Sequence, residues 1–184
     1  AVIHPDFVMG RDPHLVAEAV ARAKRQGVSE ELLSELDDFT GAVGIWDSGR
    51  PGPVTAFRFD IDCVQVGETS DPAHEANAGG YASERPNLMH ACGHDGHLAV
   101  GLGVAQWIKD HADQLCGKIK LVFQPAEEGT RGARPMAESG ILDDVDFIVC
   151  THIGSSVPLH QVAVCTHGYL ATTQLDIYFE GVPA

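Results

Sequence analysis

The stretch LAVGLGVAQWIKDHADQLCGKIKLVFQ, Leu98 to Gln124, changes its periodicity partway along. Leu98 to Leu115 spaces its apolar residues as an amphipathic helix does, and Gly117 stands where that helix must have ended. KIKLVFQ, Lys118 to Gln124, is a short run rich in strand formers. A long helix delivered into a strand is half of a strand–helix–strand unit, the connection that parallel strands require. The same grammar extends outward on both sides. GAVGIWD (Gly41 to Asp47) and VTAFRFDID (Val54 to Asp62) read as two strands joined by the turn GRPGP. TRGARPMAESG reads as a short helix and VDFIVCTH as a strand, with QVAVCTH and ATTQLDIYFEG as further strands. Glu68 to Pro86 is polar and without period, a loop. Alternating strands and helices predict an α/β fold: a mainly parallel mixed sheet flanked by helices.

Ahead of this lies a helical pair. Pro13 to Gln26 has helical spacing, with Asp12 as N-cap and Gly27 as stop; Ser29 opens SEELLSELDDF, a second helix closing near Gly41. Residues 1–38 are therefore expected to form a helical segment packed on a core domain of residues 39–184.

The 184 residues suffice for one sizeable domain, and a 44% hydrophobic content is ordinary for a globular core. Twelve Lys and Arg against 26 Asp and Glu leave a net charge of −14, which repels phosphate backbones and anionic lipid. Nucleic acid and membrane surfaces are therefore excluded as expected partners, and no apolar run approaches a membrane span. The five cysteines are odd in number and scattered, with no CxxC pair. They read as reduced thiols of a cytoplasmic protein.

In open α/β sheets ligands gather beyond the carboxyl ends of the strands. Four groups of metal-binding side chains obey that rule. Asp60 and Asp62 end one strand; Cys92 and His94 sit in LMHACGHDGH before the long helix; Glu127 and Glu128 follow another strand; His152 closes a third. Thiolate and imidazole suit Zn and its neighbours, and carboxylates also suit Mn. Cys92 and His94, two apart in an extended loop, are expected to project to one side. Glu127 and Glu128, adjacent in extended backbone, are expected to point to opposite sides, one ligating while the other holds a water. A divalent cation makes water more acidic and a nearby carboxylate takes the proton, so the ingredients suit metal-assisted hydrolysis. Each group also has a plainer reading. Asp95 is most simply the N-cap of the long helix, and His90 serves equally as a packing or a ligand histidine. His97, in the first turn of that helix, reads more readily as a support than as a ligand, and Cys150 lies in an apolar run expected to be core. Cys165 and His167 repeat the spacing of Cys150 and His152 in a second VCTH, which shows that spacing alone certifies nothing. Two rival readings stay open on this basis: a non-catalytic metal-binding α/β module, and a structural interaction domain with incidental histidines.

Four segments, GRPGPVTAFRFDID, LMHACGHDGH, QPAEEGTRGA and DDVDFIVCTHIG, occur in order with family-like spacing. Together they resemble the amidohydrolase branch of the aminoacylase and carboxypeptidase G metallopeptidases, a likeness that runs from about Phe39 to Ala184. The resemblance implies a partial catalytic domain of the zinc-peptidase type holding two divalent ions, Mn or Zn. It implies that Cys92, His94, Glu128 and His152 are metal ligands, with Cys92 a bridge, and that Glu127 is the general acid/base. It implies that Asp60 and Asp62 support the ligands, and it asks nothing of Cys165 or His167; Asp95, beside His94, is a further supporting candidate. The substrate class implied is N-acyl or N-aroyl amino acids, with p-aminobenzoyl-glutamate the best single candidate. Arg131 is a candidate partner for the substrate carboxylate, although Arg131 and Arg134 also read as solvated surface arginines. Cys63 stands where relatives carry a small apolar residue. The resemblance further implies that an inserted lid domain, through which the parent forms a homo- or heterodimer, and one more ligating histidine lie beyond Ala184. These 184 residues alone are then expected to have little hydrolase activity.

Overall fold

A computed structural model describes residues 12–37, 39–154, 156–165 and 181. In chain order its elements are α1 (Pro13–Arg25), α2 (Glu30–Leu36), β1 (Ala42–Asp47), β2 (Val54–Asp60), α3 (Glu75–Gly79), α4 (His94–Asp110), β3 (Lys118–Gln124), α5 (Ala133–Glu138) and β4 (Phe147–Cys150). The chain falls into two units, Ala1–Ile153 and Gly154–Ala184. Every element belongs to the first.

The four strands form one sheet in the order β1-β3-β2-β4. β2 runs parallel to β3 and to β4, while β1 is antiparallel to β3, so the sheet is mixed and mainly parallel, as the alternating pattern predicts. β1 and β2 are neighbours in sequence but not in space, because β3 is inserted between them.

Side chains alternate across the strands, and each face finds its own cover. Phe59, Ile119 and Leu121 pack with Ile108 of α4, joined by Trp46, Phe57, Val104 and Phe123. Ala56 and Val122 point the other way and meet Met136 of α5, with Val43, Leu142 and Val145 around them. Between them on this second side lies a buried lysine, Lys120, whose ammonium donates to the carbonyl of Ile141 at 2.5 Å and pairs with the Asp144 carboxylate.

How closely α4 lies on the sheet is decided at Gly101. A Cβ there would stand 2.6 Å from Phe123 Cε1 and 2.9 Å from Phe59 Cδ2, inside van der Waals contact with two rings. Gly101→Val should therefore lift the helix or displace the rings, at a cost of about 1–3 kcal/mol typical of overpacking. The expected result is a lowered melting temperature.

Several local expectations are corrected. α4 begins at His94, four residues before the apolar run, and Gly93 rather than Asp95 occupies its N-cap. The Asp95 carboxylate instead accepts from the adjacent Gly96 N–H at 2.9 Å and is exposed. The loop after Glu68 contains α3, and α2 stops at Leu36, where Asp37 turns left-handed with φ 46°. Gln161–Cys165 is not a strand; the remainder of QVAVCTH and nearly all of ATTQLDIYFEG lie outside the described residues. Cys150 is exposed with the rest of β4, since β4 is an edge strand paired only to β2 among the described residues. α1 and α2 carry the caps anticipated, Asp12 accepting from His14 N–H and Ser29 from Leu32 N–H, and no residue of either is buried. No described helix is long and apolar enough to cross a membrane.

Candidate metal centre

The register of the parallel strands builds the site. Asp60 is paired with Gln124, and Arg58 with Cys150, so β2, β3 and β4 end at one edge of the sheet. The residues that follow are Asp62, the Glu127–Glu128 pair and His152, and α4 starts at the same edge with His94. Groups scattered over nearly a hundred positions are thereby brought within reach of one another.

His94 is wholly buried. Its Nδ1 faces the Asp62 carbonyl at 2.9 Å and the Asp62 carboxylate at 3.3 Å. Both are acceptors only, so the ring proton belongs on Nδ1 and Nε2 presents a lone pair. That Nε2 is buried without a hydrogen-bond partner among the described residues and lies 3.7 Å from Glu128, 3.8 Å from Asp60 and 3.9 Å from Glu127. These gaps are too long for hydrogen bonds. The gaps to Glu128 and Asp60 lie at the upper end of the separation of about 3.3–3.8 Å between two ligands that share one ion at bond lengths near 2.0–2.3 Å, and that to Glu127 lies just beyond it.

Cys92 and His152 extend the cluster. Cys92 Sγ lies 3.6 Å from His152 Nε2, and His152 donates from Nδ1 to the Ile153 carbonyl at 2.8 Å, which again leaves Nε2 with its lone pair. Cys92, His94 and Glu128 offer donor atoms within 4.8 Å of one another. Burial and the nearby Glu128 carboxylate push the Cys92 thiol up to about 11, with Glu127 and Asp60 adding to the effect. A pocket of lone pairs and carboxylates that resists ionising its own thiol is short of positive charge. A divalent cation supplies it and displaces the thiol proton, so the donor set fits a metal ion.

The glutamate loop departs from the extended geometry expected of it. Residues 127–130 form a turn closed by Thr130 N–H on the Glu127 carbonyl at 2.8 Å, and Ala126 is left-handed with φ 53°. In consequence both carboxylates approach His94 Nε2 instead of pointing apart. Gly132 closes the loop: a Cβ there would stand 1.6 Å from the Pro125 carbonyl oxygen, so any other residue would force the loop open. Asp62 ties the loop to β2 by accepting from Glu128 N–H at 3.1 Å. Cys92 is likewise not in extended chain; Gly93, with φ 89°, turns the backbone between it and His94.

Asp60 and His97 form a second buried layer. Burial alone would raise the Asp60 carboxyl, but the hydrogen bond from His97 and the Arg58 guanidinium, 2.7 Å away, hold it below its ordinary value. His97 Nδ1 meets Asp60 Oδ1, and its Nε2 accepts from Ile153 N–H at 2.7 Å. Asp60, His94, His97 and His152 offer donor atoms close enough for an ion. Both nitrogens of His97 are nevertheless already engaged, so it reads as a support and not as a ligand. Sequence reasoning favoured support for His97 without naming its partners and missed Ile153 altogether; the one available signal was that His97 stands three residues after His94 on a helix, hence on the same face.

The remaining candidates are not among the residues grouped around a possible ion. His90 and Cys165 are exposed, and His167 lies outside the described residues. Arg131 is exposed beyond the glutamate turn, its N–H bonded to the Ala126 carbonyl at 3.1 Å, and Arg134 pairs with Glu138 at 4.0 Å.

Residues 56–184 match the model of peptidase family M20/M25/M40. The chain is 48% identical over 183 residues to a p-aminobenzoyl-glutamate hydrolase subunit homolog of Haemophilus influenzae, covering 100% of this chain and 43% of that relative. The crystal structure of an aminobenzoyl-glutamate utilization protein from Klebsiella pneumoniae matches with a TM-score of 0.65 at 45% identity, covering 85% of this chain and 34% of that one. A dinuclear metal-binding peptidase of the M20 family from Bacillus subtilis matches with a TM-score of 0.58 at 35% identity, covering 65% of this chain and 31% of that one. The chain thus spans less than half the length of each of these relatives.

Proposed function

This chain belongs to peptidase family M20/M25/M40, and from that premise we propose that its parent protein is a metal-dependent amidohydrolase. The substrate class is N-acyl or N-aroyl amino acids, and p-aminobenzoyl-glutamate is the preferred candidate. The observation that carries the reading is the buried, unpartnered Nε2 of His94 facing three carboxylates. The names of the Haemophilus and Klebsiella relatives support the substrate, and the dinuclear Bacillus relative supports a pair of ions.

In this proposal Cys92, His94, Glu128 and His152 would hold the divalent ions, two of Mn or Zn. When bound, the ions polarise the amide carbonyl and make the attacking water more acidic. Glu127 accepts the proton of that water and delivers it to the departing amine nitrogen, so that one carboxylate serves both halves of the reaction. Asp62 holds His94 in the ligating tautomer through Nδ1 and steadies the backbone of Glu128. Asp95, exposed in the first turn of α4, supports the local backbone from outside the cluster. The products are a carboxylic acid and a free amino acid.

The reading also extends to the assembly and compartment. The name of the Haemophilus relative describes one component of a multi-chain hydrolase, and the parent of this chain is proposed to act as a dimer. The five cysteines are all free thiols, which suits the reducing cytoplasm.

The test is hydrolysis of p-aminobenzoyl-glutamate by the intact protein, beside a metal analysis of the same preparation. Release of p-aminobenzoate with two ions per chain is expected. Stoichiometric metal without cleavage of any N-acyl amino acid would establish a binding module instead, and no tightly held transition metal would end the proposal. For the carboxylate end of the substrate, Arg131→Ala should lower kcat/KM on glutamate conjugates by about 10–100-fold, the worth of one charged hydrogen bond. Conjugates with neutral amines should be unaffected.

A further inference from the structure

His97 is a buried titratable side chain for which the mechanism above has no use. Its surroundings form a continuous line. Gln124 Oε1 accepts from Arg58 Nε at 2.8 Å, and Arg58 Nη1 lies 2.7 Å from Asp60 Oδ2. Asp60 Oδ1 meets His97 Nδ1, His97 Nε2 accepts from Ile153 N–H at 2.7 Å, and the Ile153 carbonyl accepts from His152 Nδ1 at 2.8 Å. Only one assignment of the ring proton satisfies this line. A backbone N–H can only donate, so Nε2 of His97 bears a lone pair and the proton is on Nδ1, facing the carboxylate.

Ile153 is therefore held at both ends, by His97 through its N–H and by His152 through its carbonyl. This matters because His152 lies beyond the last paired residue of β4, Cys150, where the sheet no longer dictates its position. The rings give the same picture. His97 stands edge-on to His152 with centroids 4.5 Å apart, and stacks on His94 at 5.2 Å with planes 28° apart. Gly96 permits the approach: a Cβ there would fall 2.5 Å from Ile153 Cδ1.

We infer that His97 is a positioning residue that, locked in its Nδ1–H tautomer by Asp60, fixes the Ile153 amide and so aims His152 at the thiol of Cys92. The inference rests on the cation centre proposed above. It assigns the Arg58–Asp60–His97 line a purpose distinct from ligation: the rigid core of the sheet is coupled through one imidazole to a ligand on an exposed segment.

Uptake of Co²⁺ by the intact protein separates the possibilities. His97→Asn places an amide near Nδ1 but is too short to reach Ile153, whereas the longer His97→Gln offers an oxygen near Nε2. The Asn variant should bind Co²⁺ about 10–100-fold more weakly, the usual cost of losing a group that orients a metal ligand, with an altered visible absorption spectrum. The Gln variant should recover most of the affinity and the parental spectrum. Unchanged affinity and spectrum in the Asn variant, or no recovery in the Gln variant, would overturn the inference. Failure of the unmodified protein to take up Co²⁺ would strike the centre itself rather than His97. Should the Asn variant not fold, the unmodified Zn²⁺-loaded protein decides. Its ring ¹⁵N signals should show a protonated Nδ1 and a bare Nε2, with slow exchange of the Ile153 amide, and the opposite tautomer or fast exchange would overturn the inference.

Discussion

Glu127→Gln should abolish hydrolysis while leaving the cation complement and the melting temperature unchanged. The substitution keeps the size and shape of the side chain and removes only its basicity. Glu127 reaches to 3.9 Å from His94 Nε2 and is about a third exposed, so it sits where a water and a substrate amide can meet it. General-base catalysis contributes roughly 10²–10⁴-fold, and a group used twice in one turnover should fall at or beyond the upper end of that range. Turnover of p-aminobenzoyl-glutamate and metal content measured on one preparation check the prediction. Normal rates in the variant would remove Glu127 from the mechanism. Normal metal with lost turnover would separate its role from that of Glu128, whose carboxylate is proposed to ligate.

His94→Ala should have the opposite signature, with both metal and activity lost together. His94 is fully buried, its Nδ1 is committed to Asp62, and its Nε2 faces three carboxylates. Deleting the ring removes a proposed ligand and leaves the acidic groups without the imidazole they face. Loss of a supporting group around a metal commonly costs about 10–100-fold in affinity, and loss of the ligand itself should exceed that. Stability should fall as well, by about 1 kcal/mol for the forfeited hydrogen bond to the Asp62 carbonyl and more for the vacated volume. Equilibrium dialysis against Mn²⁺ or Zn²⁺ reads the first effect and thermal unfolding of the metal-free protein the second. Undiminished binding in a folded His94→Ala protein would exclude His94 from the centre.

The parts of this arrangement that depend on local pattern were legible in the sequence. The period of Val54–Asp60 and Lys118–Gln124 marks them as strands, and strand ends bearing acids, a histidine or a glutamate pair point to one edge of a sheet. What depended on backbone shape was not legible. Ala126 adopts a left-handed conformation that alanine does not advertise, and this turns Glu127 and Glu128 toward the same place. Asp95 is a good capping residue in the right neighbourhood, yet the helix begins one residue before it because Gly93 supplies the turn. Cys150 lies in an apolar run that periodicity cannot assign to a central or an edge strand, and among the described residues it is on the edge. The part played by His97 needs Ile153, a partner supplied through its backbone and distant in the chain, to which no side-chain pattern points.

The pairing of β2 bears on how this chain reaches its final form. Val54 must find Lys118, and Thr55 must find Phe147, so the central strand has no sheet partner close to it in the chain. Closing such long loops costs entropy before any pairing repays it, which slows topologies of this kind relative to helical ones. α1 and α4 need only nearby residues and form early, whereas Asp60 gains its place at the sheet edge only when the last two strands arrive. Assembly of the proposed metal centre is thus a late event in folding, and a chain halted before β4 docks retains much of its helix while still lacking the full set of groups proposed to grip a cation.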